Sequence, residues 1–235
     1  MAQRFHVDRR WAASYLAMAL AACAVHSPVP AVAPDAPVAT QADVTRWVAV
    51  TAPAGHRVLK FRWQIQDDRG AAGGRGSARI AAPDSVRLDV AGPLGSGRGA
   101  AVVTGDSAQW TDPPDIIQRL VPSYPLMWAM LGIMRSPPSD ALVHGLEDET
   151  GLHWQWSNDA DTVRYAWQRS GLRLQAEVRH GGELVGWVET TFSAANAPER
   201  SQLVAPSAST KLTLTFNESE SPATFPSDLW RPPQP

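Results

Sequence analysis

Residues 58–66 read VLKFRWQIQ, and this stretch decides the fold class. Apolar side chains occupy every second position from Leu59 to Ile65, and polar side chains occupy the positions between them. A period of two is typical of a β-strand that buries one face and exposes the other to solvent. The stretch therefore predicts an antiparallel strand whose inner face carries large apolar groups.

The same period returns along the chain. It predicts a short strand near 78–80 and further strands at 85–91, 100–104, 107–111, 152–156, 162–168, 172–178, 184–192 and 211–216. The Gly-rich residues 67–76 are expected to form a loop. Short strands at regular spacing favour a mainly β (α+β) fold, a single curved antiparallel sheet forming an incomplete half barrel of about 9–11 strands.

Helical segments interrupt the strands. Pro113 and Pro114 precede apolar positions at helical spacing over 116–121, as is common where a helix begins. Residues 124–134 are nearly all apolar, but a membrane span needs about 20 such residues. We expect these helices to close the concave face of the sheet. A further short helix is predicted at 42–50, with Asp43 as its N-cap.

Composition narrows the function classes. The chain has 235 residues, 44% of them hydrophobic, and a formal net charge of −2. It has no basic excess or basic run that would bind a nucleic-acid backbone. Ten Trp against three Tyr and five Phe indicate many large amphipathic surfaces, either in a core or around a cavity.

The N-terminus carries the pattern of a bacterial lipoprotein signal. Arg4, Arg9 and Arg10 precede an apolar run at 11–22, which ends in Ala-Ala before the single cysteine, Cys23. We expect a signal peptide at 1–22 and lipid attachment at Cys23; a plain signal peptide with an incidental cysteine is the alternative. We expect a Pro/Ala-rich tether at 23–41, one domain at 42–218 and a Pro-rich tail at 219–235.

Motifs for catalysis, metals and cofactors are missing from the sequence. It has no G-x-S-x-G, H-E-x-x-H, P-loop or G-x-G-x-x-G motif, and its six His show no i, i+4 pair. His153 is expected to face away from the neighbouring Trp residues, and the acidic residues 147–149 are expected to face solvent. We therefore expect no cofactor, no metal and no enzymatic activity; a hydrolase would need a nucleophile–base pair that the sequence does not reveal.

Three stretches, in order, resemble LolB, the family of outer-membrane lipoprotein receptors. They are residues 61–64 (FRWQ), residues 86–104 (VRLDVAGPLGSGRGAAVVT) and residues 121–132, with the pattern V-P…P-L-x-W…L-G. The resemblance implies a LolA/LolB-like fold around a hydrophobic cavity, which accepts lipoprotein acyl chains from a periplasmic LolA-like carrier. It places Leu94 on a loop that inserts into the membrane; a turn whose Leu94 packs back on the core is the alternative. Because no Asp follows Cys23, it also implies a periplasm-facing position at the outer membrane.

Inward positions of the strands and the apolar helix are the candidate cavity lining. They are Phe61, Trp63, Ile65, Val86, Leu88, Val90, Trp110, Leu126, Trp128, Met130, Leu131, Trp154, Trp156, Tyr165, Trp167 and Leu174. The same tryptophans are also expected of a solid core. The sequence therefore leaves three alternatives open: a monomeric lipoprotein acceptor, a carrier of another lipid, and a scaffold lipoprotein without a cavity.

Overall fold

The computed structural model describes residue 27 and residues 29–93, 97–114 and 116–232. Cys23 and Leu94 lie outside these residues, so the lipid anchor and the membrane-inserting loop stay predictions. Within the described part of the chain, no helix is both long and apolar enough to cross a membrane.

The described residues form twelve strands, three α-helices and two short 3-10 helices, Pro206–Ala208 and Ser227–Trp230. The helices are α1 (Gln41–Ala49), α2 (Ile116–Leu120) and α3 (Tyr124–Met130). The strands are β1 (Arg57–Asp67), β2 (Gly70–Ala81), β3 (Ser85–Ala91), β4 (Arg98–Thr104), β5 (Ser107–Asp112), β6 (Leu142–Glu147), β7 (Gly151–Asn158), β8 (Asp161–Gln168), β9 (Arg173–His180), β10 (Glu183–Phe192), β11 (Pro198–Ala205) and β12 (Thr210–Glu220).

All twelve strands form one antiparallel sheet in the order β5-β4-β3-β2-β1-β12-β11-β10-β9-β8-β7-β6. The sheet is open, with β5 and β6 at its edges, and the helices pack against one face. The predicted fold class is confirmed. The expected strand number was too low, because β6 and β11 lack the regular apolar alternation that predicts a strand.

The Gly-rich stretch expected to be a loop is part of β2. Gly74 pairs with Trp63 and Gly76 pairs with Phe61 across the hairpin. A Cβ at Gly74 would lie 2.9 Å from the Trp63 ring, and one at Gly76 would lie 2.7 Å from the Phe61 ring. Glycine is therefore required here because the large rings of β1 lie over the neighbouring strand.

Helix α1 begins one residue earlier than predicted. Thr40 is the N-cap: its hydroxyl accepts from the Asp43 N–H at 3.2 Å, and the Asp43 carboxylate accepts from the Thr40 N–H at 3.0 Å. Asp43 therefore occupies the third helical position of a capping box, rather than the N-cap. Val44 and Trp47 of this helix are buried in the core.

Chain segments outside the predicted domain also pack against the sheet. Val29, Val32 and Ala36 are buried, and the Ala39 N–H donates to the Val143 carbonyl of edge strand β6 at 3.0 Å. At least residues 29–39 are thus part of the packed domain instead of a free tether. At the other terminus, β12 continues to Glu220, beyond the predicted boundary at 218.

The C-terminal tail lies on the convex face of the sheet, the face opposite the helices. Arg87 Nη1 donates to the Leu229 carbonyl at 2.7 Å, and Phe225 packs edge-on against both His56 and Trp230. The tail covers part of β3–β5, so its Pro-rich composition does not leave it detached.

Helix α3 is held firmly on the concave face. Trp128 Nε1 donates to the Gly105 carbonyl at 2.9 Å, and Thr190 Oγ1 donates to the Ala129 carbonyl at 2.8 Å. The helix ends at Met130, earlier than the apolar run predicts, because Gly132 has a φ of +79° that is incompatible with a continuing helix. Residues 131–134 nevertheless remain buried.

Candidate functional site

An apolar cavity of about 50 Å³ lies between the sheet and the helices. Its walls come from β1, β3 and β12 on one side and from α2, α3 and their flanking residues on the other. Its lining is entirely apolar: Phe61, Trp63, Leu88, Val90, Ile117, Leu120, Val121, Met127, Met130, Leu131, Leu212 and Leu214. A lining without polar groups favours an apolar occupant over water.

The aromatic wall of this cavity is fixed by specific contacts. Trp63 Nε1 donates to the Ala91 carbonyl at 3.2 Å, which holds the indole against the Gly-rich strand β2. Phe61 packs edge-on against Phe216 of β12, with ring centroids 5.8 Å apart. These rings are therefore rigid parts of the wall.

Six of the sixteen predicted lining residues border this cavity, namely Phe61, Trp63, Leu88, Val90, Met130 and Leu131. Ile65 is partly buried beside the core. Seven others are buried in the core and do not border the cavity: Val86, Leu126, Trp128, Trp154, Tyr165, Trp167 and Leu174. The prediction identified inward positions well but did not separate cavity from core.

The tryptophans of β7 and β8 fill the second half of the concave side. Trp154 stacks on Tyr165 with ring centroids 4.9 Å apart, and its ring centroid lies 6.0 Å from that of Trp47 in α1. Trp167 packs edge-on against Phe192 at 5.1 Å. Burial raises the pKa of Tyr165, so its hydroxyl stays neutral and accepts from the Arg135 N–H at 3.4 Å. These aromatic rings therefore pack closely against one another in this half of the interior.

Trp110 lies on the opposite face from the predicted one. The β4–β5 register shifts between Val102 and Val103, so that Ala108 pairs with Val103 whereas Trp110 pairs with Val102. This bulge turns Trp110 to the convex face, where its Nε1 donates to the Trp230 carbonyl at 3.0 Å. Strict alternation, on which the prediction rested, cannot reveal a bulge.

The cavity also has six lining residues that sequence reasoning did not assign to it: Ile117, Leu120, Val121, Met127, Leu212 and Leu214. The helical spacing in 116–121 and the period of two in β12 were visible signals that these positions face inward. Which inward positions meet across the interior depends on the long-range pairing of β1 with β12, which local patterns do not contain.

A second, open pocket of about 440 Å³ lies on the other side of α2. Ile117 and Val121 border both this outer pocket and the inner cavity, so these two side chains form the partition between them. The outer pocket is more polar. Trp156 and Asp106 line it, and within the described residues the Trp156 Nε1 has no hydrogen-bond partner. Partial desolvation raises the pKa of the Asp106 carboxyl, and the charge of Arg135 opposes this rise.

Comparison with solved structures identifies the fold. A LolA superfamily protein from Nitrosomonas europaea superimposes with a TM-score of 0.55 at 10% identity, over 83% of this chain and 98% of that one. The chain has a LolA-like fold. An outer membrane lipoprotein-sorting protein domain from Vibrio parahaemolyticus has a TM-score of 0.49 at 8% identity, over 80% of this chain and 94% of its own. A DUF1329 family protein from Desulfovibrio piger has a TM-score of 0.47 at 7% identity, over 80% and 95%.

Sequence comparisons add no family assignment. No protein-family model matches the chain, and no curated protein sequence matches it. At 10% identity the structural likeness establishes the LolA-like fold alone.

Proposed function

We propose that this LolA-like protein binds the acyl chain of a lipid or lipoprotein on its concave side. The observation that carries the proposal is the shared partition: of the lining residues that the structure describes, Ile117 and Val121 alone border both the apolar inner cavity and the open outer pocket. If α2 moves outward, the two spaces join into one apolar channel with a polar mouth. Such a channel suits a ligand with a hydrocarbon tail and a polar head.

The size of the inner cavity requires this movement. Sites for small molecules usually measure about 300 Å³ or more, whereas the inner cavity measures about 50 Å³. The form described here is thus a closed form, and a ligand displaces protein side chains when it enters. Each methylene group that leaves water contributes about 0.8 kcal/mol, so a long acyl chain can offset the cost of opening.

The attachment of the helices supports α2 as the moving part. Helix α2 has five residues and lies between Pro114 and Pro122. Helix α3, in contrast, is tied to the sheet through hydrogen bonds of Trp128 and Ala129. Among the contacts of the described residues, displacing α2 therefore disturbs fewer directional ones than displacing α3.

The delivery step is a further part of the proposal. We propose that lipid at Cys23 anchors the protein at the outer membrane, facing the periplasm, and that it accepts lipoproteins from a LolA-like carrier. Leu94 would then assist insertion by entering the bilayer. Leu94→Glu should leave ligand binding intact and reduce the transfer of lipoproteins to vesicles; undiminished transfer would refute this role of the loop.

The binding step is tested by uptake of a fluorescent C16 fatty acid. Ile117→Ala/Val121→Ala thins the partition and should raise the uptake rate by about tenfold, because it removes packing that opposes opening. Leu88→Trp fills the inner cavity and should weaken binding. The control, Val38→Ala/Leu142→Ala, removes exposed apolar groups at the β6 edge and should change neither the uptake rate nor the affinity for the fatty acid. Absence of saturable uptake by the unmodified chain would reject the proposal.

The filled half of the interior favours a second candidate, a scaffold lipoprotein whose surface binds a partner. On that alternative, the partition variants lose stability without gaining uptake, and mass spectrometry of the purified chain detects no co-purified lipid. Lipid that co-purifies with the Cys23→Ala chain supports the binding function instead.

A further inference from the structure

A row of arginines crosses the convex face of the sheet. Strand register places Arg62 of β1 directly opposite Arg75 of β2, then Ala91 of β3 and Arg98 of β4. Directly opposed residues point to the same face, and neighbouring strands lie about 4.8 Å apart. Arg62 and Arg75 are therefore adjacent, and Arg98 lies about 10 Å beyond Arg75, with the small Ala91 between them.

The three arginines are exposed and unneutralised. Other cations of the same face have acidic partners: Lys60 pairs with Glu218 at 2.8 Å, and Arg87 pairs with Asp89 at 3.1 Å. Within the described residues, Arg62, Arg75 and Arg98 have no acidic side chain at ion-pair distance. Like charges directly opposite each other on a hairpin destabilise it. The row is thus a local cost to folding in a chain whose net charge is −2.

The row borders a groove with the chemistry of an anion-binding surface. The groove measures about 790 Å³ and is lined by six cationic side chains, three of them ion-paired, and by two acidic ones, Asp89 and Asp112. Arginines are also common in protein interfaces, but there they usually surround a buried aromatic or apolar core. The large exposed apolar side chains of the described chain are Val38, Leu142 and Leu146, which lie at the β6 edge, away from the groove.

We propose that this arginine row binds the phosphate head groups of an anionic lipid bilayer. Guanidinium groups match phosphate oxygens with paired hydrogen bonds, and an exposed row of them can contact several head groups at once. The proposal goes beyond the proposed function, because the acyl-chain site lies on the opposite face of the sheet. Contact through the convex face would leave the outer pocket and α2 free.

The test measures partition of the full chain onto vesicles. All proteins carry Cys23→Ala, so that no acyl anchor contributes. The vesicles contain either phosphatidylcholine alone or phosphatidylcholine with about 30% phosphatidylglycerol, which gives the membrane a negative surface potential. Arg62→Gln/Arg75→Gln should lower partition onto the anionic vesicles by about thirtyfold, as expected for two lost charges at the surface. Raised salt should abolish the difference.

The control variant has the same change in charge. Arg46→Gln/Arg169→Gln removes two exposed arginines that pair with Glu147 at the other end of the sheet, and it should keep most of the binding. Arg62→Lys/Arg75→Lys should retain binding, and the Gln variant should melt no lower than the parent, because it relieves repulsion. Equal loss in both Gln variants, no preference for anionic vesicles, or a row-dependent binding of polyglutamate in place of vesicles would overturn the proposal. None of these readouts depends on acyl-chain uptake.

Discussion

Gly74 shows how closely single residues determine the first hairpin. A Cβ at this position would lie 2.0 Å from the Ala91 carbonyl oxygen, which also accepts the Trp63 indole N–H. The glycine therefore allows Trp63 to lie over β2 and reach β3. Its role is steric, since its φ is not positive.

We predict that Gly74→Ala lowers the free energy of unfolding by about 3 kcal/mol, because the methyl group has no room without displacement of β3 or the Trp63 ring. The measurement is denaturant unfolding followed by Trp fluorescence. Gly55→Ala is the control, since a Cβ there meets nothing within 4 Å. A Gly74→Ala protein as stable as the control would contradict the close packing described here.

For single residues, the sequence predicted which face a side chain occupies better than it predicted which residues that side chain contacts. The alternation around Trp63 and Trp154 correctly indicated inward side chains. It could not show that Trp63 borders a cavity, because the helices and β12 that complete the wall are distant in sequence. Trp154, in contrast, packs against Tyr165 of the next strand, β8. Trp110 was misplaced because one extra residue in β5 reverses the faces beyond it.

The capping box of α1 supplies a test at the scale of one element. We predict that Thr40→Ala costs about 1 kcal/mol of stability, because the hydroxyl that accepts the Asp43 N–H is lost. Thr45→Ala is the matched change in the same helix. Its hydroxyl bonds only to the Gln41 carbonyl, and alanine has the higher helix propensity, so stability should stay equal or rise. Thermal melts of both variants distinguish a cap from a general effect of threonine.

Two strands escaped prediction for physical reasons. In β6 the inward position between Val143 and the strand end is Gly145, whose Cβ would meet Trp154 at 2.5 Å, while Leu142 and Leu146 are exposed. In β11 the inward Ser201 is buried, and its hydroxyl donates to Thr190 Oγ1 at 2.8 Å. Both strands thus lack the apolar alternation that identified the other ten. Side chains of the neighbouring strands, such as Trp154 and Thr190, cover their inward positions instead.

At the scale of the whole molecule, the C-terminal tail links the end of the described chain, after β12, to strands β3 and β5. We predict that Phe225→Ala increases hydrogen exchange of the Leu229 and Arg231 amides about tenfold, since two aromatic contacts that hold the tail are lost. Exchange in β7–β9 should not change. Thr224→Ala, an exposed neighbour, should leave the tail protected. Equal exchange in both variants would show that the tail is held by other contacts.

Each neighbouring strand pair in the sheet except one is also consecutive in the chain. The exception is β1 with β12, where Lys60 bonds to Glu220 across a separation of 160 residues. Hairpins between consecutive strands form quickly, whereas the pairing of β1 with β12 is slower because it joins two segments that are distant in the chain. We therefore expect strands β1–β5 and strands β6–β12 to form first as two separate antiparallel sheets. Pairing of β1 with β12 should then be the rate-limiting step of refolding.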